Sequence, residues 1–249
     1  MIHRRGVVTR GLNPVARGDL NARLGSPRGL RAQMVYLVIC SAFLLLSLPP
    51  EIGRLELRDA NLLLAFLVVQ IVAVTYLSSA IASSELGIEG EKGLPDLTLS
   101  AFSAGVIAGG KAQSSAIYAA YLLAVTLPLM VLAAALRGSR VEPIVWAGIL
   151  TFVVATAAGI WGAWLSGRFT SDFTRSFIHW VGLAGLFGGA AALPAPWSWL
   201  APIRAIDEML RTGWSTSLLM SIGTYGLAAA VGVWLIRSHV RGLRVQEAP

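Results

Sequence analysis

The chain reads as an all-α membrane protein with six transmembrane helices, an interfacial N-terminal helix and a helix-bearing cytoplasmic segment between spans two and three. Three observations predict this. Hydrophobic residues make up 55% and charged residues 13% of the chain, with a mean hydropathy of +0.68, a balance that no soluble domain of this size needs. The apolar residues gather in blocks near the roughly 20 residues that a helix requires to cross a bilayer core of about 30 Å. Within those blocks they do not alternate, as they would in the strands of a membrane barrel.

Six blocks qualify: Ala32 to Leu48, Asn61 to Ala82, Ala112 to Leu136, Ile144 to Leu165, Phe177 to Leu193, and Thr216 to Ile236. They divide the chain into a basic N-terminal segment (1–31), a membrane domain (32–236) and a tail (237–249). Segment 83–111 and an outer hairpin at 194–214 interrupt the membrane domain. An even number of spans puts both termini on one side. That side receives most of the 20 Lys and Arg, while the other holds only Arg54, Arg58, Arg137, Arg140, Arg204 and Arg211. Positive charge stays cytoplasmic, so both termini and segment 83–111 face the cytoplasm of a plasma (inner) membrane. The net charge of +7 then follows from topology and contact with anionic lipids, with no nucleic acid as partner.

Residues 1–31 have no continuous apolar core, and the first apolar run comes too late to be a cleaved signal peptide. Asn13 before Pro14 is a helix start, with Asn as cap and Pro at the first helical position. Val15, Leu20 and Leu24 then alternate with Arg17, Asp19 and Arg23, a weakly amphipathic pattern suited to the headgroup layer. A basic tail that only enforces orientation is the alternative. Cys40, the only cysteine, sits in the first span, so no intramolecular disulfide and no cysteine-based metal site is available. Pro49 and Pro50 end that span. In the second span Gln70 stands among aliphatics with Thr75 and Tyr76. A neighbouring helix is its expected hydrogen-bond partner, contact with cargo the alternative.

Segment 83–111 is the one long polar interruption. Gly87, Gly90, Gly93 and Pro95 break the helix, and Leu94, Leu97, Leu99, Phe102, Val106 and Ile107 recur at spacings compatible with a short surface helix. Exposed leucines and a phenylalanine flanked by Glu89, Glu91 and Asp96 suit a docking element, in which apolar anchors fill a partner's groove and charges set register. A solvated loop resting on the membrane surface fits the same residues. Gly105, Gly110 and Lys111 match the spacing of a phosphate-binding loop, but Ala112 stands where Ser or Thr must hold magnesium and no strand precedes it, so nucleotide binding is not expected. Lys111 is expected to snorkel at the membrane boundary.

This order of features resembles the ABC type-2 transporter permeases. Glu89, Glu91, Gly93 and Asp96, followed by apolar residues and by Ser103, Ile107, Gly110 and Lys111, look like that family's cytoplasmic loop. There an E-x-G-x-x-D-like pattern precedes a helix ending in Gly-Lys. The resemblance runs on through Tyr118 and the mid-helix Pro128. It also reaches back to Asn13, Pro14, Val15, Arg17, Leu20, Arg23 and Leu24, similar to an Asn-Pro-Val helix start, and forward to Pro202, Ala205 and Leu210, similar to a re-entrant stretch. It implies a coupling helix between spans two and three that docks into a separate ATPase subunit. The apolar contacts of that helix would come from Leu94, Leu97, Leu99, Phe102 and Ile107, and its polar rim from Glu89, Glu91 and Asp96. It also implies a second permease chain, an interfacial helix (Pro14, Arg17, Leu20, Arg23, Leu24) bracing the contact, and ATP with magnesium bound only by the partner.

The remaining spans suit a conduit. Pro128 kinks the third, Gly159 and Gly162 allow close approach in the fourth, and Gly185 and Gly189 have small-xxx-small spacing in the fifth. Gln70, Tyr76, Tyr118 and Pro128 are the candidate conduit residues. Between spans five and six, Trp197, Trp199 and the amphipathic run 203–210 favour a partly inserted hairpin over a soluble loop. No span contains Asp or Glu, and His3, His179 and His239 do not cluster, so acid/base, metal or Ser-His-Asp chemistry lacks its parts. The expected function is a permease moving an amphipathic or lipid-like substrate. A membrane scaffold that recruits a cytoplasmic partner is the alternative, and an intramembrane enzyme the more remote one.

Overall fold

The computed structural model describes residues 12–46, 60–88, 102–137, 141–169, 171–194 and 197–247, and among these the chain is helical, with no strand. The helices are α1 (Pro14–Gly25), α2 (Pro27–Leu46), α3 (Ala60–Ile88), α4 (Ala104–Arg137), α5 (Glu142–Arg168), α6 (Asp172–Ala184), α7 (Pro202–Thr212) and α8 (Thr216–Glu247). A π-helical turn (Gly185–Gly189) and a 3-10 turn (Ala190–Ala192) prolong α6, and a second 3-10 turn (Trp197–Leu200) precedes α7.

Four helices are long and apolar enough to cross a membrane, over Leu63–Ser83, Ala104–Ala135, Glu142–Arg168 and Thr216–Leu243, as in a multi-pass membrane protein. The expected first and fifth spans do not meet that test as single helices. The first corresponds to α2, whose opening turns carry Arg28 and Arg31, and it qualifies only together with α1, from which it is bent by 63°. In the fifth, α-helix stops at Ala184, beside Gly182, Gly185, Gly188 and Gly189, where an added Cβ would meet no neighbouring atom within 4 Å. The helix loosens into π and then 3-10 geometry before Pro194.

The most extensive packing is between α3 and α5, with α8 and α4 against other sides of α5. Two glycines permit it. A Cβ on Gly162 would stand 2.6 Å from the Ser79 carbonyl oxygen, and one on Gly159 3.0 Å from the Ser115 side chain. The main core joins Leu63, Phe66 and Ile71 of α3 to Leu122 of α4 and Leu150 of α5. A second, smaller core gathers Val15, Ala82, Ile107, Ile160, Ala163, Ile236 and Val240 at the end of the bundle where Lys111 lies. Helix α8 runs unbroken past Ile236 through most of the expected tail. It is held to α5 by the Trp161 indole N–H donating to the Ala228 carbonyl at 3.0 Å and by His239 Nε2 at 3.2 Å from the Gly167 carbonyl.

Helix α6 is amphipathic in the sense that lipid demands. Its buried side chains are Arg175 and His179, whereas Phe173 is 79% exposed and Phe177, Trp180 and Val181 are also exposed. In water that arrangement would expose the apolar face and bury the polar one, opposite to the hydrophobic driving force. His179 Nε2 lies 3.4 Å from Ser79 Oγ on α3, and the Arg175 guanidinium donates to the Ser83 carbonyl at 3.4 Å. At the opposite end of the bundle α7 lays Ala205, Ile206 and Met209 into the main core and turns Arg204, Glu208 and Arg211 outward. The segment is therefore packed on the bundle rather than free. Arg204 ties it to the Leu193 carbonyl at 2.8 Å, Tyr225 and Ser221 of α8 donate to the carbonyls of Leu200 and Trp199, and Gly213 ends the helix at φ +84°, a conformation that favours glycine.

Candidate functional site

Among the described residues, a polar constellation forms where α1 docks along the first three turns of α4. Local chemistry starts it. Asn13 Oδ1 accepts from the Val15 N–H at 3.0 Å, capping α1, and Pro14 fills the first position, where a missing N–H costs nothing. The rest of the Asn13 amide then faces α4. Its Nδ2 donates to the Val106 carbonyl at 2.7 Å, and its backbone N–H donates to Gln113 Oε1 at 3.2 Å. Val15 seats on Gly110, where a Cβ would come within 2.6 Å of the valine's own. Glycine is required there because any side chain would lift α1 off α4.

One turn further on, Asp19 meets Lys111. Lys111 Nζ is 2.7 Å from Asp19 Oδ1, and Ser114 Oγ donates to Asp19 Oδ2 at 3.1 Å. The lysine side chain is 4% exposed and the aspartate 14%. Lys111 therefore does not snorkel to a boundary, as its place in the sequence suggests. It lies two turns inside α4, buried and ion-paired. Beyond it the Arg23 guanidinium carbon stands 5.6 Å from the centre of the Tyr118 ring, a cation–π distance, with Arg23 itself buried. Of the residues expected on the interfacial helix, Leu20 and Arg23 face the bundle, and Pro14, Arg17 and Leu24 are exposed.

The expected docking residues divide differently. Glu89, Glu91, Leu94, Asp96, Leu97 and Leu99 lie outside the described residues. Phe102 is 38% exposed just before α4 begins. Ile107 is fully buried among Ala82, Ile160 and Ile236, and so belongs to the interhelical core rather than to an outward surface. Gly105 to Lys111, whose spacing matches a phosphate-binding loop, are all within α4.

The four candidate conduit residues sit in separate settings. Gln70 is buried and donates from Nε2 to Thr126 Oγ1 at 2.9 Å, the helix-to-helix bond expected for a lone glutamine. The same hydroxyl accepts from Tyr36 OH at 3.1 Å and donates to the Leu122 carbonyl at 3.1 Å, which uses its one donor and both acceptor positions. Tyr118 is buried beside Arg23 and stacks on Tyr121 at 6.3 Å. Tyr76 packs against the Trp180 ring at 5.1 Å and the His179 ring at 5.7 Å on α6, and Pro128 is exposed on α4. Tyr36, Thr126, Gln113 and Ser114 carry these contacts without a signal in the sequence, and Asp19 stands there only as a charged position in the pattern of α1. One signal was readable: Asp19 is the only carboxylate before Glu51, a lone acid in a basic segment.

Among the described residues no three of His, Cys, Asp and Glu come together in a way that could hold a metal ion. Compared with protein-family models and with curated proteins, the chain matches none.

Proposed function

We propose that the chain is the transmembrane permease subunit of an ATP-binding-cassette transporter. In this reading six spans, with both termini cytoplasmic, move an amphipathic or lipid-like substrate outward by alternating access. Two permease chains pair, and separate ATPase subunits supply the energy through residues 89–102. The reading is supported chiefly by the α1–α4 junction. Two of the stretches within the resemblance, Asn13-Pro14-Val15 and Ser103 to Lys111, are distant in sequence yet pack against each other through Gly110 and through the Asn13 amide, which reaches the Val106 carbonyl 93 residues away. A brace between an N-terminal helix and the end of the span that follows the docking segment is what a force-bearing contact needs. Helix α4 suits that load as well. Its 34 residues measure about 51 Å at 1.5 Å per residue, so it extends beyond a bilayer core while still backed by α1.

The test is capture of an ATP-hydrolysing partner by the tagged chain in mild detergent. The unmodified chain is expected to co-purify with an ATPase whose activity is measurable in the eluate. Asp at Leu97, Leu99 and Phe102 together is expected to lower that capture about tenfold or more, because charge in an apolar groove removes the anchors, while membrane insertion stays unchanged. Equal capture by both forms counts against the docking role. A partner without ATPase activity supports the scaffold instead.

A further inference from the structure

We infer that Asp19 and Lys111 are positioning residues that fix the register of α1 on α4, so that α1, the bend at Ser26 and the Lys111 end of α4 move as one body. The consequence for transport rests on the permease reading above; the geometry does not. A buried ion pair is a poor source of stability compared with apolar packing, because both charges must be desolvated, but a good source of register, because an unpaired partner is costly. Here only one register pairs them. Lys111 is the only charged residue of α4 before Arg137, and Asp19 the only acid of α1. Sliding α1 by one turn would set Asp19 against Ile107 or Ser115 instead, and would also part Asn13 from Val106 and Arg23 from the Tyr118 ring.

The register continues into α2 through a stiff corner. The Ser26 N–H closes α1 on the Ala22 carbonyl at 3.2 Å, while its Oγ accepts from the Gly29 N–H at 2.9 Å and its carbonyl accepts from the Leu30 N–H at 3.0 Å, opening α2. Gly29 sits so close to the Arg23 carbonyl that a Cβ would lie 2.2 Å from that oxygen. Displacement imposed on α4 by a partner at residues 89–102 therefore reaches α2 through Lys111, Asp19 and this corner.

Two readouts separate the parts of the claim. In a Cys40→Ala background, a thiol placed by Ala16→Cys is buried under α1, since Ala16 is 0% exposed. Its labelling by a hydrophilic maleimide in membranes reports α1 lifting from α4. Asp19→Asn and Lys111→Met are each expected to speed labelling about tenfold or more, since each strands a buried charge. Lys111→Arg and the exchange Asp19→Lys with Lys111→Asp are expected to return it to within about threefold of the parent. ATP hydrolysis per captured ATPase is expected to fall in the single variants and recover in the same two rescues. Single variants that label like the parent overturn the inference, and single variants that label faster yet hydrolyse normally overturn its consequence for transport. If the unmodified chain captures no ATPase, the permease reading fails and the coupling role with it, and the labelling still decides whether the pair fixes α1.

Discussion

Gly162→Val is expected to leave little folded protein, the largest effect of any single substitution considered. A Cβ at this position meets the Ser79 carbonyl oxygen at 2.6 Å and the Ser79 Cα at 3.2 Å, so the obstacle is backbone in the middle of a helix and cannot rotate away. Relief requires α3 and α5 to separate by about 1 Å, and a gap of that size forfeits a quarter to a half of the dispersion energy of the contacts it opens. These two helices share the most extensive interface of the bundle. In lipid, where apolar side chains gain nothing by leaving the solvent, helix association rests on such close packing. The expected loss is about 3 kcal/mol or more, at or above the usual range for overpacking. Thermal unfolding and monodispersity of the detergent-solubilised protein measure it. Gly148→Ala is the matched control: its added carbon meets only Met130 Cε at 3.8 Å, an ordinary contact at the tip of a flexible side chain, and a change within about 0.5 kcal/mol is expected. Equal stability of Gly162→Val and the control would show that α3 and α5 do not pack on this face.

What the sequence conveyed of this fold tracks what a bilayer demands. Four of the six apolar blocks are helices long and apolar enough to cross a membrane, because long apolar runs have few other solutions in lipid. Boundaries were less legible because a charged residue ends a membrane span without ending a helix. Arg237 lies inside α8 and Lys111 inside α4, although each stands next to an edge of an expected span. The first turn of α1 was legible from Asn13 and Pro14 since capping is local chemistry. Its destination on α4 was not. Asp19 and Lys111 are 92 residues apart, and nothing in either one's neighbourhood specifies the other. Ile107 shows the same limit from the other side: an apolar residue on a polar segment reads equally as a docking anchor or as core, and only the neighbouring helices Ala60–Ile88, Glu142–Arg168 and Thr216–Glu247 decide for core. The anchors at Leu94, Leu97 and Leu99 remain part of the proposed function.

Thr126→Val is expected to cost more than removing the whole polar cluster around it. The substitution keeps shape but deletes the acceptor shared by Tyr36 OH and Gln70 Nε2, on side chains that are 2% and 0% exposed. A buried donor without a partner costs about 1–3 kcal/mol, and polar contacts between membrane helices are individually weaker, so a total near 2 kcal/mol is expected. The triple change Tyr36→Phe, Gln70→Leu and Thr126→Val deletes donors and acceptor together. It also removes Gln70 Oε1, a buried acceptor that has no partner even in the intact cluster. Its stability is expected to return to within about 1 kcal/mol of the parent, since apolar replacement of both partners is nearly neutral. A triple variant no more stable than Thr126→Val alone would mean the three side chains are not bonded in this way. ATP hydrolysis by the captured partner then separates packing from transport at Gln70. Because the glutamine is fully buried and its bonded amide is held by α4, hydrolysis is expected to follow stability and recover in the triple variant. Recovered stability with lost hydrolysis would instead give Gln70 a role in the conduit, through the one oxygen that its neighbours leave unpaired.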